Sequence, residues 1–359
     1  METARYNRQI ILPEVGNNGQ QKLQQAKVLI IGAGGLGAAV LPYLAAAGIG
    51  VIGIIDDDRI EVSNLQRQVI YKSSSVGKSK VLEAAAMALD LNPSIKIIAI
   101  TEKLDSKNAI SLFEQYDIMV DATDNLNTKY LINDACCVTN KPFVYGSIYK
   151  FEGQVSIFNY ENGPTYRCLF PEEASEVRNC NDAGVMGTSV GIIGMFQANE
   201  VLKMVLGIGE LLSGKLLVYN MLNNEQQKYD FSKTDTNTID TVAFENKYTS
   251  VESATIEISA ALALEQMHHP EVIFLDVRNS EEYPKITIKN GLQIPLDRLE
   301  SALHQLDINA ELFVFCQSGI RSKKAVEILR NNNFATAKSI AGGAKALGEI
   351  LHKGTVSVS

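Results

Sequence analysis

The sequence predicts an α/β protein, with a parallel sheet covered by helices on both faces and a second, smaller α/β unit behind it. Three observations carry this. Val28-Leu29-Ile30-Ile31 is an apolar, mostly β-branched run, the pattern of a strand buried on both faces. It runs straight into Gly32-Ala33-Gly34-Gly35-Leu36-Gly37, a G-x-G-x-x-G turn opening an Ala- and Leu-rich helix. Strand-like and helix-like stretches then alternate along the first part of the chain, and a second alternation begins near Val251.

In order, the pattern predicts a polar helix around Gln20–Gln25, then strand 27–31, helix 35–47, strand 51–56 and helix 78–90. Strand 95–100, helix 106–115, strand 117–121, helix 127–139 and strand 142–146 follow. Further strands are expected at 153–158, 215–219 and 226–231. The stretch 232–250 is polar and aperiodic and reads as a linker. Beyond it come a helix over 252–266, strands 272–275 and 312–315, and a helix over 323–331. At 359 residues two domains are the natural count, placed at 1–231 and 251–359.

The net charge of −8 argues against a nucleic-acid surface. The most apolar stretch, 187–209, is interrupted by Gln197, Asn199, Glu200 and Lys203, so no membrane span is expected. The N-terminus lacks a signal-like apolar region, and five widely spaced cysteines suit a reducing compartment. A cytoplasmic protein is expected.

The glycine turn lets phosphate approach the N–H groups of a helix N-terminus. Asp56 follows Gly32 by 24 positions, near where a dinucleotide fold places its ribose carboxylate. Yet Ser63-Asn64-Leu65-Gln66-Arg67-Gln68 and Gly77-Lys78-Ser79-Lys80 add Asn, Arg and Lys groups that suit a triphosphate better than a dinucleotide. The fourth strand ends in Asp121-Ala122-Thr123-Asp124-Asn125, where a carboxylate could hold Mg²⁺ beside phosphates. The opening Arg5-Tyr6-Asn7-Arg8-Gln9 reads, by itself, as a segment packed on the sheet.

Together these motifs, over roughly 4–231, resemble the ubiquitin-activating-enzyme-like adenylyltransferases of the MoeB/ThiF type. The resemblance implies a Rossmann-like adenylation domain binding ATP and Mg²⁺. Gly35, Asp56, Ser63, Asn64, Leu65, Gln66, Arg67, Lys80, Asp124 and Asn125 would surround the nucleotide, with Asp124 as metal ligand. It implies that Arg8 serves the triphosphate of a neighbouring subunit, hence a homodimer, and that Cys180 lies on a crossover loop near the carrier's C-terminus. A free cysteine is otherwise a small buried hydrophobe, so Cys180 is open to either reading. Relatives commonly close a zinc site with two C-x-x-C pairs. Here Thr165 precedes Cys168 and the second pair is missing, so no structural zinc is expected.

Near the C-terminus, Cys316-Gln317-Ser318-Gly319-Ile320-Arg321 sits between a strand and a helix, where the helix dipole and converging N–H groups favour a sulfur anion. With Asp276-Val277-Arg278 and Ala341-Gly342-Gly343, this resembles the rhodanese sulfurtransferases over 251–350. The loop is one residue shorter than in related phosphatases and fits sulfur better than phosphate. Ile286–Gly291 departs from the family's usual loop.

The expected function is ATP-dependent adenylation of the C-terminal glycine of a ubiquitin-like sulfur carrier ending in Gly-Gly. The carrier is that of molybdopterin synthase or, alternatively, that of the thiamine pathway. Cys316 would relay sulfur from a donor such as a cysteine desulfurase. Arg8, Arg67, Lys80, Asp124, Cys180 and Cys316 are the candidate catalytic residues. A nicotinamide or flavin oxidoreductase would leave Asn64, Arg67, Lys80 and Asp124 unexplained. A non-catalytic carrier-binding scaffold is the remaining rival.

Overall fold

The computed structural model describes residues 2–171, 184–234, 239–252, 257–308, 310–332, 334 and 336–354. The chain divides into two compact units, 1–245 and 246–359.

In the first unit, helices α1 (Glu2–Ile10) and α2 (Gly16–Gln25) precede strand β1 (Lys27–Ile31). The remaining elements are α3 (Gly35–Ala47), β2 (Val51–Ile55), α4 (Lys80–Leu91), β3 (Lys96–Ile100), α5 (Ala109–Phe113), β4 (Ile118–Asp121), α6 (Leu126–Thr139), β5 (Phe143–Tyr149), β6 (Glu152–Phe158), α7 (Tyr166–Leu169), α8 (Gly187–Leu206), β7 (Lys215–Asn220) and β8 (Glu225–Asp230). The strands form one sheet in the order β3-β2-β1-β4-β5-β6-β7-β8. The first five are parallel and the last three antiparallel. The crossover from β3 back past β1 to β4 makes a switch point, so the carboxyl ends of β1, β2 and β4 flank one crevice.

Val28, Leu29, Ile30 and Ile31 are buried, as a central parallel strand requires. Each such side chain contributes about 1.5–3 kcal/mol. Helix α8 is long and apolar enough to cross a membrane by length and composition, but over half of its apolar window is buried inside this unit. Val190, Ile193, Ala198 and Val201 place it in the core beside α3.

In the second unit, β9 (Glu257–Ile258), α10 (Ala260–Glu265), β10 (Val272–Asp276), β11 (Gly291–Gln293), α11 (Leu299–Ala302), β12 (Glu311–Phe315), α12 (Ile320–Asn331), β13 (Lys338–Ile340) and α13 (Gly343–Gly354) build a parallel sheet. Its strand order is β11-β10-β12-β13-β9, so β12 lies at its centre.

Two expectations need correction. The stretch 232–250 is helical from Thr241, and Phe244 on that helix is buried. One buried aromatic anchors a segment whose composition has no period. The single helix expected over 252–266 is instead the edge strand β9 followed by α10, which Ser259 caps by accepting from the Leu262 amide. Ser is a strong N-cap, so the helix starts at Ala260.

Candidate active site

The glycine turn is built so that only glycine fits. Gly32 has φ +99°, and a Cβ there would lie 2.8 Å from the Ala122 carbonyl oxygen. A Cβ on Gly37 would lie 2.1 Å from the Gly32 carbonyl oxygen, which fixes how closely α3 packs onto β1. Gly35 backs onto Val190 of α8, where a Cβ would meet Cγ1 at 2.5 Å. No side chain caps α3, so its first N–H groups face the crevice without a helix partner. The buried Tyr71 hydroxyl donates to the Ala33 carbonyl at 2.7 Å and braces the turn from behind.

Asp56 ends β2 and accepts from the Ala33 amide at 2.7 Å and the Asp58 amide at 2.8 Å. Burial raises its pKa; these two N–H groups and the Lys80 charge oppose the rise. Its carboxylate is thus pinned to the glycine turn with lone pairs left for a hydroxyl.

Asn64 is buried, and its side-chain oxygen accepts from the Glu61 amide. Arg67 donates to the Ser63 carbonyl at 3.0 Å. Ser63 and Gln66 are exposed, the Ser63 hydroxyl donating to Glu61, while Leu65 packs on the core. Ser63 and Leu65 therefore offer backbone rather than side chain to a ligand.

Lys80, 5% exposed, pairs with Asp58 at 2.6 Å. The Asp58 side chain is largely exposed, so the pair is worth about 1 kcal/mol or less. A more highly charged phosphate would draw the ammonium away.

At the end of β4 the two carboxylates separate in role. Asp121 is fully buried and takes Lys129 Nζ at 2.9 Å; the same ammonium donates to the Thr123 and Gly146 carbonyls at 2.9 Å each. Asp124 is exposed and, among the described residues, has no hydrogen-bond or ion-pair partner. Asn125 caps α6, its oxygen accepting from the Thr128 amide at 3.0 Å, so only its amide nitrogen remains for a ligand.

Arg8 is exposed on α1, apart from the neighbouring Arg5, which donates to the Leu91 carbonyl. Cys180 lies outside the described residues.

The crevice fits a nucleotide polyphosphate with a divalent cation. It combines an uncapped helix N-terminus, two cations, a partner-free carboxylate and a buried Gln68 whose Oε1 has no partner. Gln68 lies against Gly34, its Nε2 3.8 Å from where a Cβ would stand. Sequence reading missed Gln68, Tyr71, Asp58 and Lys129 as parts of the site. Lys129 sits on α6 while Asp121 ends β4, so no spacing within one element links them.

Thr165 and Cys168 also adopt a defined arrangement. Cys168 Sγ receives the Thr165 amide and hydroxyl at 3.3 Å and the Thr234 amide at 3.4 Å. Burial alone would push this thiol up, but these donors together bring it down to about 7.

In the second unit, β12 delivers Cys316 to the start of α12, with the thiol 1% exposed. Its Sγ receives the Gly319 amide at 3.2 Å and faces the Ser322 hydroxyl at 3.6 Å. Ser322 Oγ also lies 3.0 Å from the Gly319 carbonyl oxygen and 2.8 Å from Ser339 Oγ, so Ser339 can donate to Ser322 while the one Ser322 proton goes to that carbonyl or to sulfur. Burial is the largest single influence and raises the pKa. The Ser322 hydroxyl and the amides of Ser322, Ser318 and Gly319 together outweigh it, and the net shift is downward. The geometry stabilises a sulfur anion.

Arg278 is buried against Asp276 and also donates to Gln317 Oε1 in the cysteine loop. The unusual segment 286–291 is held by Ile286 and Ile288, which pack on the core before β11 pairs with β10.

Residues 6–241 match the ThiF family and residues 259–349 match the rhodanese-like domain. The adenylyltransferase and sulfurtransferase MOCS3-2 of Zea mays is 36% identical, over 96% of this chain and 79% of its own. A probable molybdopterin-synthase adenylyltransferase of Pyropia yezoensis is 41% identical, over 91% and 89%. Among solved structures, E. coli MccB with ATP is similar at a TM-score of 0.58 and 25% identity, over 67% of this chain and 73% of that one. The nucleotide crevice and the cysteine loop thus correspond to two matched families in one chain, which belongs to the ThiF family and carries a rhodanese-like domain behind its adenylation unit.

Proposed function

We propose that this chain is an adenylyltransferase and sulfurtransferase. It activates the C-terminal glycine of the ubiquitin-like small subunit of molybdopterin synthase with ATP, then supplies sulfur for its thiocarboxylate. The observation that carries this reading is the pairing, in one chain, of a phosphate-binding glycine turn with a buried cysteine whose loop donates three backbone N–H groups and a hydroxyl to sulfur. Relatives aligned over nearly the whole chain bear both activities in their names, and others covering over nine-tenths of it are named as probable molybdopterin-synthase adenylyltransferases, which favours the molybdopterin carrier over the thiamine one.

The carrier's carboxylate is ionised near neutral pH and needs no general base. Its oxygen attacks the α-phosphorus, and the bond to pyrophosphate breaks. Asp56 binds the ribose, and Gly35, Ser63, Leu65 and Gln66 line the nucleotide chiefly through backbone, with Asn64 and Asn125 shaping the loops. Arg67 and Lys80, with Arg8 from a second copy in a homodimer, offset charge developing on the phosphates, the electrostatic contribution that dominates such steps. Asp124 would hold Mg²⁺, which would supply neutralisation of phosphate charge when bound.

Cys316 accepts sulfane sulfur from a persulfide-bearing donor such as a cysteine desulfurase. The outer persulfide sulfur then attacks the adenylated carbonyl and AMP leaves, giving an acyl disulfide on Cys316. A second thiol, for which Cys180 is the candidate, attacks the Cys316 sulfur, forming a disulfide with it as the thiocarboxylate leaves, and an external thiol reductant restores both cysteines. Thr165 and the single Cys168 leave no zinc-binding quartet, and the enzyme works in the cytoplasm.

The test is intact mass of a Gly-Gly-ended carrier after incubation with the enzyme, ATP, cysteine and a cysteine desulfurase. Exchange of one carboxylate oxygen for sulfur is expected. Pyrophosphate release without any sulfur gain would confine the chain to adenylation, and neither event would leave it a carrier-binding scaffold.

A further inference from the structure

Two guanidinium groups approach the Cys316 loop, and both are already neutralised. Arg278, 2% exposed, is chelated by Asp276 with contacts of 2.7–3.1 Å. Arg321, in the first turn of α12, gives Nη1 and Nη2 to the two oxygens of Glu282 at 2.7 and 2.6 Å. This fork-to-fork pairing is the most geometrically specific that a carboxylate and a guanidinium can make.

Glu282 is fixed from its own side as well, since Oε1 accepts from the Asn279 amide at 3.0 Å. The Arg321 guanidinium and that amide hold the Glu282 carboxyl down to about 2, so it stays charged at every working pH. Both guanidinium groups beside the Cys316 loop are thus already engaged by carboxylates of this chain. Beside the pair, Tyr283 and Ile320 are exposed, and the Lys285 ammonium lies 4.9 Å from the centre of the Tyr283 ring.

We infer that Glu282, by occupying both terminal nitrogens of Arg321, is a specificity-determining residue that closes the Cys316 loop to small dianionic sulfur donors such as thiosulfate and reserves it for sulfane sulfur presented on a protein. This rests on the proposed role of Cys316 as sulfur carrier.

The chemistry differs between donors mainly in charge. With thiosulfate, the Cys316 thiolate attacks the outer sulfur, the S–S bond breaks and sulfite leaves with the bonding pair. The dianion must then approach with the Arg321 nitrogens that could receive its sulfonate oxygens already taken by Glu282. With a protein persulfide, the thiolate attacks the terminal sulfur and the donor's cysteine leaves as thiolate. The donor's own surface can rest on Tyr283 and Ile320.

Removing one negative charge roughly 6 Å from a dianion in water changes its affinity by about tenfold. Glu282→Gln keeps an acceptor for the Asn279 amide and changes only the charge. In full-length protein it should raise kcat/KM for thiosulfate about tenfold in a thiosulfate-to-cyanide assay, mostly through KM, as thiocyanate is released and the thiolate regenerated. Glu282→Gln combined with Arg321→Gln should lose that gain. Loading of Cys316 by a persulfidated cysteine desulfurase, read by intact mass, should change no more than about twofold, since the nucleophile is untouched.

No gain with thiosulfate overturns the inference. So does a gain that survives loss of Arg321, or an equal gain with the protein donor, which would mean a general change in Cys316 reactivity. Failure of wild-type Cys316 to load from the protein donor defeats the sulfur-carrier role instead, and the thiosulfate comparison still reads the effect of Glu282 by itself.

Discussion

Replacing Lys129 with Met should destabilise the first unit by about 3–5 kcal/mol, the cost of leaving one member of a buried ion pair uncompensated. The magnitude follows from what the ammonium does. It sits 2.9 Å from Asp121, from the Thr123 carbonyl and from the Gly146 carbonyl, and neither charged side chain reaches solvent. Without it, Asp121 Oδ2 loses its partner while Oδ1 keeps the Thr123 amide and hydroxyl at 3.0 and 2.7 Å. At about 2–4 °C per kcal/mol for a unit of this size, Tm should fall by roughly 10 °C. Urea unfolding followed by circular dichroism measures the loss, and hydrogen exchange of the β1 and β4 amides assigns it to this unit. Asp121→Asn together with Lys129→Met should recover much of it, because the unpaired charge is gone. Thr123 is gripped from both sides by the pair and leads into Asp124, so the single variant should also slow carrier-dependent ATP–pyrophosphate exchange. A loss below about 1 kcal/mol, with the double variant no better than the single, would refute this account of the pair.

Asp124→Ala should cut carrier-dependent ATP–pyrophosphate exchange at least a hundredfold with the fold intact, the scale of losing one strong electrostatic group. Arg8→Ala should do comparable damage, and mixing the two variants after subunit exchange should restore part of the activity; no recovery despite proven exchange rejects the shared site. Purified protein should contain far less than stoichiometric zinc by elemental analysis, and stoichiometric zinc surviving mild chelation would contradict the reading of Thr165 and Cys168. Ser322→Ala should raise the Cys316 pKa by removing a donor to the thiolate. Alkylation at pH 7 should therefore slow, while alkylation well above both pKa values stays unchanged; an unaltered pH profile would remove Ser322 from that role.

The centre of the first sheet was legible because β1 and β2 are short, almost wholly apolar and buried along nearly their whole length, so they announce themselves without help from tertiary context. The glycine turn was legible for a related reason: its glycines answer to steric demands within a few residues, as Gly37 does to Gly32. What escaped depends on partners distant in sequence. Nothing near Glu282 signals Arg321, 39 positions away, and Gln68 gains meaning only once folded against Gly34. Asn125 was read as a ligand, yet its side chain also serves as the cap of α6, two uses for which the sequence pattern is the same. The helix expected over 252–266 failed because periodicity reads a short edge strand and a capped helix as one continuous apolar pattern.

Both units use one device, a buried parallel strand ending in a tight loop that opens a helix, and they bend it to different anions. In Gly32–Gly37 the loop carries no side chain that could answer its own N–H groups, and α3 begins without a cap. The donors stay available to a ligand, which suits phosphate oxygens supplied from outside. In Cys316–Arg321 the strand's last residue is itself the acceptor, and the Gly319 amide and Ser322 hydroxyl already point at its sulfur. The second loop thus turns its donors on a sulfur that it carries itself, where the first keeps them for a ligand brought from outside. That difference assigns the first unit to a highly charged nucleotide. In the second, the proposed role of Glu282 on Arg321 favours a sulfur delivered with little added charge, as from a thiolate leaving on a protein donor rather than free sulfite.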